Sequence, residues 1–124
     1  MTPPEDRRAL GRWGEQQAAE YLRRKGWRIV CMNYAGRFGE IDIIARDRRY
    51  LIFVEVKLRK NADFAQAREF VTSAKQRRIG LTARLWLASH PTELQPRFDV
   101  VEVYAAQGQV QQINHIENAF TVEG

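Results

Sequence analysis

Leu51-Ile52-Phe53-Val54-Glu55-Val56-Lys57-Leu58 is the stretch of this sequence that decides the fold. It is apolar on both faces, which is typical of a central strand that is buried on both sides of a sheet. Two polar residues interrupt it, and because side chains alternate along a strand, Glu55 and Lys57 lie on the same face. Burying isolated charge is costly unless a partner or a function compensates. Glu55 and Lys57 therefore mark a candidate site.

The segments around this strand predict two helices and four further strands. Apolar residues at helical spacing predict a helix over residues 7–25, and Thr72 is suited to cap a second helix that ends near Ser89. The order is helix, three strands, helix and two strands, which predicts an α/β (α+β) fold with a mixed central sheet of about five strands flanked by helices. The predicted strands cover residues 27–32, 40–45, 51–58, 98–104 and 110–116.

The length of 124 residues suits a single domain. We expect a flexible N-terminus at residues 1–6, a domain at 7–117 and a C-terminal tail at 118–124. The single cysteine, Cys31, excludes an intramolecular disulfide and favours a reducing compartment. Neither a membrane-spanning apolar run nor the apolar core of a signal peptide is present in the sequence, so we expect a cytoplasmic protein with no membrane partner.

The net charge of +5 is unevenly distributed. Residues 1–97 contain all twenty Lys and Arg and have a net charge of +9, whereas residues 98–124 have a net charge of −4. This asymmetry indicates one basic face and an anionic partner, most simply nucleic acid. The alternative interpretation is a set of solvated surface charges.

The spacing of polar residues on two neighbouring strands predicts a metal site. If these strands form a hairpin with its loop at residues 48–49, Asp42 faces Glu55 and Glu40 faces Lys57. Opposed residues have Cβ atoms about 5 Å apart, and two carboxylates there repel by roughly 3 kcal/mol at a dielectric of ~20. A divalent cation removes this conflict, so we predict that Asp42, Glu55 and Glu40 bind Mg²⁺ or Mn²⁺. The alternative is a cross-strand salt-bridge cluster in which Glu40 pairs with Lys57.

A metal at this position would supply hydrolytic chemistry. It would lower the pKa of a bound water and stabilise charge on an attacked phosphate. Lys57 would orient that water or neutralise charge in the transition state. Asp42, Glu55 and Lys57 are therefore the predicted catalytic residues.

Several motifs together resemble the bacterial YraN-like family, whose small members are assigned a restriction-endonuclease-like fold. Asp42, followed after twelve residues by Glu55-Val56-Lys57, looks like the acidic residue and Glu-x-Lys signature of the PD-(D/E)xK nuclease superfamily, with Ile41 in place of its proline. The resemblance covers nearly the whole chain. Its motifs are Gly11-Arg12-Trp13-Gly14-Glu15, Gly39-Glu40-Ile41-Asp42-Ile43-Ile44-Ala45, Phe53-Val54-Glu55-Val56-Lys57-Leu58-Arg59, the segment from Thr72 to Arg78, and Arg97-Phe98-Asp99-Val100-Val101.

This resemblance implies a metal-dependent DNA endonuclease. Archaeal Holliday-junction resolvases share the fold and also place a glutamate on the first helix, which adds Glu15 as a catalytic candidate and makes branched recombination or repair intermediates the implied DNA. Without the resemblance, Glu15 reads as an ordinary carboxylate at the margin of the helix's buried face. A symmetric homodimer would suit paired cuts at a junction, although no apolar stripe in the sequence requires one.

Basic residues around the second helix are the predicted nucleic-acid contacts. Lys75 continues the buried stripe of that helix toward its N-terminus, where it would project toward the site; the alternative is a solvated basic turn. The segment 59–71 reads as a loop whose Phe64 or Phe70 would stack on a base or, alternatively, pack in the core. DNA is the expected partner rather than RNA, and the competing hypothesis is a non-catalytic nucleic-acid-binding module with a structural or vestigial acidic cluster. The predicted nucleic-acid-binding residues are Lys75, Gln76, Arg78, Arg59 and Lys60.

Overall fold

The strands form one mixed sheet in which their spatial order, β1-β2-β3-β4-β5, follows their order in the chain. The computed structural model describes residues 7–60 and 71–122. The predicted α/β fold, a single domain with a five-stranded sheet and two flanking helices, is confirmed. The elements are α1 (Arg7–Arg24), β1 (Arg28–Gly36), β2 (Gly39–Arg46), β3 (Tyr50–Lys60), α2 (Ser73–Ser89), β4 (Gln95–Ala106) and β5 (Gln109–Phe120).

Strand β3 is the centre of the sheet, as its continuous apolar sequence predicts. It pairs antiparallel with β2 and parallel with β4. A parallel neighbour needs a crossover connection, and α2 lies in the segment that supplies it. Residues 51–55 of β3 are all buried, and among them only Glu55 is charged.

The hairpin between β2 and β3 has the predicted two-residue loop and, over residues 43–46 and 51–54, the predicted register. The Asp47 amide donates to the Tyr50 carbonyl at 3.1 Å, and strand pairing runs from Arg46 opposite Leu51 to Ile43 opposite Val54. Two arginines are poor residues for such a loop. The Asp47 side chain compensates, because its Oδ1 accepts hydrogen bonds from the loop amides of Arg49 at 2.8 Å and Tyr50 at 2.7 Å.

The helices cover opposite faces of the sheet. Helix α1 packs through Ala18, Ala19 and Leu22 into one core cluster, and α2 packs through its predicted stripe into the other. Thr72 caps α2 as predicted, with its side chain accepting a hydrogen bond from the Lys75 amide at 3.2 Å. The α2 stripe consists of Ile79, Ala83 and Trp86.

The strands are longer than the sequence predicts, and the differences are largest in β1, β3, β4 and β5. Strand β1 continues to Gly36, and β5 extends to Phe120, three residues past the predicted domain boundary. Arg59 and Lys60 belong to β3 rather than to a loop, because β3 stays paired with β4 as far as Lys60 opposite Ala105. The rest of that predicted loop, with Phe64 and Phe70, and the predicted N-terminal segment 1–6 lie outside the described residues.

Within residues 7–60 and 71–122, no helix has the length and apolar character needed to cross a membrane.

Candidate active site

Strands β2 and β3 separate at the predicted site. Their pairing ends at Ile43 opposite Val54; beyond that point β2 continues along β1 only, and β3 continues along β4. Asp42 and Glu55 are the first residues past the separation. There the Asp42 carboxylate replaces a strand partner, because its Oδ2 accepts a hydrogen bond from the Val56 amide at 2.8 Å. The carboxylate therefore completes the sheet as well as lining the site.

The side chains of β1 and β2 switch faces of the sheet at the same level. Ile43 packs in the core cluster under α1, whereas Ile41, two residues earlier, packs in the cluster under α2. Regular alternation would put both on one face. Asn33 of β1 lies between the residues paired with these two isoleucines and has a left-handed backbone, with φ of 55°. Asparagine tolerates this conformation better than most residues, so the break in alternation falls at Asn33 and Asp42.

Three carboxylates meet beside this break. Ligand oxygens of Glu15, Glu40 and Asp42 all lie within 4.8 Å of one another. Glu15 comes from α1 and is held by Asn33, whose Nδ2 donates to Glu15 Oε1 at 2.6 Å. The predicted convergence of Glu15 and Glu40 with Asp42 is thus present in the structure.

The predicted opposition of Glu40 and Lys57 is wrong. In the strand register Glu40 lies opposite Ala35 of β1, because β2 has already left β3 before it reaches Glu40. The alternative interpretation of the sequence, a cross-strand salt bridge between Glu40 and Lys57, also requires these residues to lie opposite each other, so the observed register does not support it. Lys57 instead places its Nζ 3.7 Å from Glu55 Oε2.

Glu55 is the most buried of the site carboxylates and has two cationic partners. Its side chain is 5% exposed, and it forms ion pairs with Lys57 and with Lys75 from the first turn of α2. Lys75 therefore projects into the site, as its position on the buried stripe predicts. Burial lowers the pKa of Lys75, but its hydrogen bond to Glu55 and the charges of Glu55 and Asp42 outweigh this, so the net pKa is raised. Lys75 consequently stays protonated at neutral pH.

Asp42 is the electrostatically strained member of the site. Burial, followed by the charge of Glu55, raises its pKa to about 8, although the hydrogen bond from Val56 opposes the rise and the charge of Glu15 adds to it. Without a cation beside it, the Asp42 carboxyl group would therefore hold a proton at neutral pH. A cation beside it would favour the ionised form. The donors here are all carboxylate oxygens, which is the ligand type that Mg²⁺ and Mn²⁺ prefer.

The remaining predicted nucleic-acid contacts have different environments. Arg78 and Lys60 are exposed, and Gln76 uses its Nε2 to donate to the Val71 carbonyl at 2.8 Å. Arg59 is not a solvent-facing cation: its side chain is 10% exposed and its Nε lies 2.9 Å from Oε2 of buried Glu102. Arg59 therefore stabilises the sheet through Glu102.

Sequence reasoning missed residues at the rim of the site. An open cleft of about 350 Å³ lies beside the carboxylates. The arginines of this cleft lie on the same side of α1 as Glu15. A helical wheel of residues 7–15 predicts this shared side from the sequence. The cleft, named here the α1 cleft, is lined by Arg7, Arg8, Gly11, Arg12, Glu15 and Glu40.

A separate charged cluster surrounds Asp99 on β4. Asp99 is fully buried and accepts hydrogen bonds from Arg97 Nε at 2.9 Å and the Asn118 amide at 3.0 Å, and its Oδ2 lies 2.8 Å from His115 Nε2. Burial raises its pKa, but these hydrogen bonds and the Arg97 charge outweigh the burial, so the net pKa is lowered. His115 is thus part of the hydrogen-bonded cluster around buried Asp99.

Comparison with known proteins gives one consistent result. A family model described as "Uncharacterised protein family UPF0102" matches residues 14–103. A UPF0102 protein of Syntrophotalea carbinolica is 46% identical over 95% of this chain and 96% of its own length. UPF0102 proteins of Symbiobacterium thermophilum and Vibrio parahaemolyticus are 46% and 40% identical over 91% and 93% of this chain, and over 97% and 94% of their own lengths. These matches confirm the resemblance to the YraN-like family.

Proposed function

Because the chain belongs to the UPF0102 family, whose description names no activity, we propose its function from the site itself: a Mg²⁺- or Mn²⁺-dependent endonuclease that hydrolyses phosphodiester bonds in DNA. The observation that carries the proposal is the convergence of Asp42 with Glu55 where β2 and β3 separate, next to two lysines. This combines acidic metal ligands with cations suited to an anionic substrate.

The proposed metal ligands are carboxylate oxygens on both sides of the point where β2 and β3 separate: Glu15, Glu40 and Asp42 on the β2 side, and Glu55 on β3. Asp42 is common to both sides: it belongs to the cluster with Glu15 and Glu40, and the Glu55 charge acts on it directly. A bound divalent cation would lower the pKa of a coordinated water and stabilise charge on the attacked phosphate. Asp42 would then remain ionised, and Glu15 would keep its orientation through Asn33.

The lysines would serve the substrate. Lys57 is 26% exposed at its side chain and Lys75 is 38% exposed, so both ammonium groups reach solvent while contacting buried Glu55. Lys57 would position the attacking water or neutralise charge that develops on the phosphate. Lys75, with exposed Arg78 on the same helix, would hold the backbone of the DNA. The proposed localisation is the cytoplasm, where bacterial DNA is accessible.

The substrate proposal rests on charge and on the fold resemblance. The basic excess of residues 1–97 favours a polyanion. Branched recombination or repair intermediates are the first DNA structures to test, by analogy with the junction resolvases. A homodimer would place two such sites for paired cuts.

The decisive experiment compares cleavage by wild type and Glu55→Gln. Both proteins are incubated with linear duplex, single-stranded and four-way-junction DNA in Mn²⁺ and, separately, in EDTA. We expect wild-type cleavage only with metal and a loss of about 100-fold or more in Glu55→Gln. Glu20→Gln is the matched control, because Glu20 is an exposed carboxylate of α1 that pairs with Arg23 at 3.0 Å.

Cleavage that persists at the wild-type rate in Glu55→Gln would refute the assignment. Salt-sensitive DNA binding without any cleavage would instead support a non-catalytic nucleic-acid-binding module, in which the ion pairs of Glu55 with Lys57 and Lys75 serve only the fold.

A further inference from the structure

The α1 cleft has a positive wall beside an acidic one. At about 100° per residue, Arg7, Arg8 and Arg12 lie within an arc of roughly 140° on α1, and Gly11 and Glu15 lie inside that arc. Glu40 from β2 completes the lining. The cleft therefore opens directly onto two of the three clustered carboxylates.

Arg12 has hydrogen-bonding capacity left for a ligand. Its Nη1 lies 3.7 Å from Glu15 Oε1, and its side chain is 51% exposed. An ion pair this exposed contributes little. A guanidinium carries five N–H donors, so one long contact with Glu15 leaves donors available for a phosphate oxygen.

Gly11 on the floor of the cleft is not explained by packing. A Cβ built at Gly11 meets nothing within 4 Å, whereas a Cβ at Gly14 lies 3.4 Å from Cβ of Leu58, against which α1 packs. Glycine inside a helix is less stable than alanine, so folding alone favours alanine at position 11. Glycine is used where another molecule approaches the backbone closely. Gly11 thus keeps the cleft floor at the level of the helix backbone.

We infer that the α1 cleft receives the sugar–phosphate backbone of a DNA strand next to the bond that is cut. Arg7 and Arg12 hold its phosphates, and Gly11 lets the backbone approach the helix. This inference rests on the proposed function, because an anionic strand beside Glu15 and Glu40 needs a cation among the carboxylates. Arg12 on α1 and Lys75 on α2 then contact the strand from different helices.

The first test removes the positive wall. Arg7→Gln/Arg12→Gln is compared with wild type by fluorescence anisotropy on duplex and four-way-junction DNA, over a series of salt concentrations, with Ca²⁺ as the only divalent cation. We expect affinity to fall at least tenfold, and the slope of log affinity against log salt to decrease by about 0.9 for each phosphate that the variant no longer neutralises. Arg23→Gln/Arg24→Gln is the matched control, since it removes two exposed arginines from the other end of the same helix.

The second test fills the floor of the cleft. Gly11→Ala is expected to raise the Tm by about 2–4 °C and yet to weaken DNA binding several-fold. Gly11→Leu is expected to weaken binding further. Gln16→Leu, at an exposed position on the same helix, controls for an added apolar side chain and should leave binding unchanged.

The outcomes separate this inference from the nuclease assignment. Binding that depends on Arg7, Arg12 and Gly11, without any cleavage in Mn²⁺, would support the DNA-binding role of the α1 cleft and contradict the nuclease assignment. If DNA is cleaved but Arg7→Gln/Arg12→Gln, or both Gly11 variants, bind DNA as tightly as wild type, the DNA-binding role of the α1 cleft is contradicted. The nuclease assignment is then retained. No DNA binding by wild type would overturn both.

Discussion

Asn33 Nδ2 donates a 2.6 Å hydrogen bond to Glu15 Oε1, and so joins β1 to α1 at the edge of the carboxylate cluster. Asn33 also has a left-handed backbone, with φ of 55°. One residue thus shapes the strand and orients a candidate ligand. These two roles can be separated by mutation.

Asn33→Gly should retain the fold and impair the site. Glycine adopts positive φ without steric cost, so the free energy of unfolding should change by only about 1 kcal/mol, while Glu15 loses its hydrogen bond. We expect DNA cleavage in Mn²⁺ to fall about tenfold or more. Asn33→Val, which is strained at positive φ, should instead lower the Tm. Unchanged cleavage by Asn33→Gly would show that Glu15 needs no support from Asn33.

Metal binding should strengthen as the pH rises toward 8. The pKa of Asp42 is raised to about 8, chiefly by burial and by the charge of Glu55, so a proton must leave before Asp42 can ligate a cation at neutral pH. We expect the apparent Mn²⁺ affinity to rise by up to about tenfold for each pH unit from 6 to 8 and then to level off. Calorimetric titration at each pH measures this. Asp42→Asn, which has no proton to release, should abolish the dependence; a flat profile in wild type would contradict it.

Arg59→Met should destabilise the protein rather than weaken DNA binding directly. The Arg59–Glu102 pair is only 10% and 8% exposed at its side chains, and removing Arg59 leaves a buried carboxylate with less compensation. We expect a loss of about 3 kcal/mol in the free energy of unfolding, measured in urea. Lys60→Met, at the exposed neighbouring residue, should leave stability within about 0.5 kcal/mol. A larger loss of stability in Lys60→Met than in Arg59→Met would show that the Arg59–Glu102 pair does not stabilise the sheet.

Asp99→Asn should remove a stabilisation that is itself sensitive to acid. The pKa of Asp99 is lowered in the folded protein because hydrogen bonds from His115 and Arg97 outweigh its burial. Its contribution is therefore complete above the unfolded pKa of about 3.9 and is lost as the pH falls through the lower folded pKa. We expect Asp99→Asn to cost about 3 kcal/mol at pH 7, and the difference from wild type to shrink below about pH 4, in urea unfolding. A difference that stays constant down to pH 2.5 would rule out this linkage.

Much of the fold was predictable because local signals agreed with one another. The continuous apolar stretch places β3 at the centre, Thr72 caps α2, and Asp47 and Tyr50 fix the register that brings Asp42 to the level of Glu55. Each of these features depends on neighbouring residues or on one hairpin. The sequence therefore predicts them without long-range information.

The separation of β2 from β3 was not predictable in the same way. Regular alternation carries the hairpin past Ile43 and puts Glu40 opposite Lys57, whereas the strands diverge there and Glu40 turns to Glu15. Asn33 has a left-handed backbone at the same level of β1, and nothing in the sequence distinguishes it from an ordinary strand asparagine. Arg59 shows the same limit, because its partner Glu102 is 43 residues away on another strand.

The hydrogen bond from Val56 to Asp42 makes one backbone amide a reporter of the site. A cation that withdraws electron density from the Asp42 carboxylate would weaken the hydrogen bond from the Val56 amide, or move the carboxylate away from that amide. The Val56 proton would then exchange with deuterated solvent at a rate that tracks metal occupancy, while amides deeper in β3 stay protected. If the site binds a cation as proposed, exchange at the Val56 amide would therefore measure metal occupancy without a substrate.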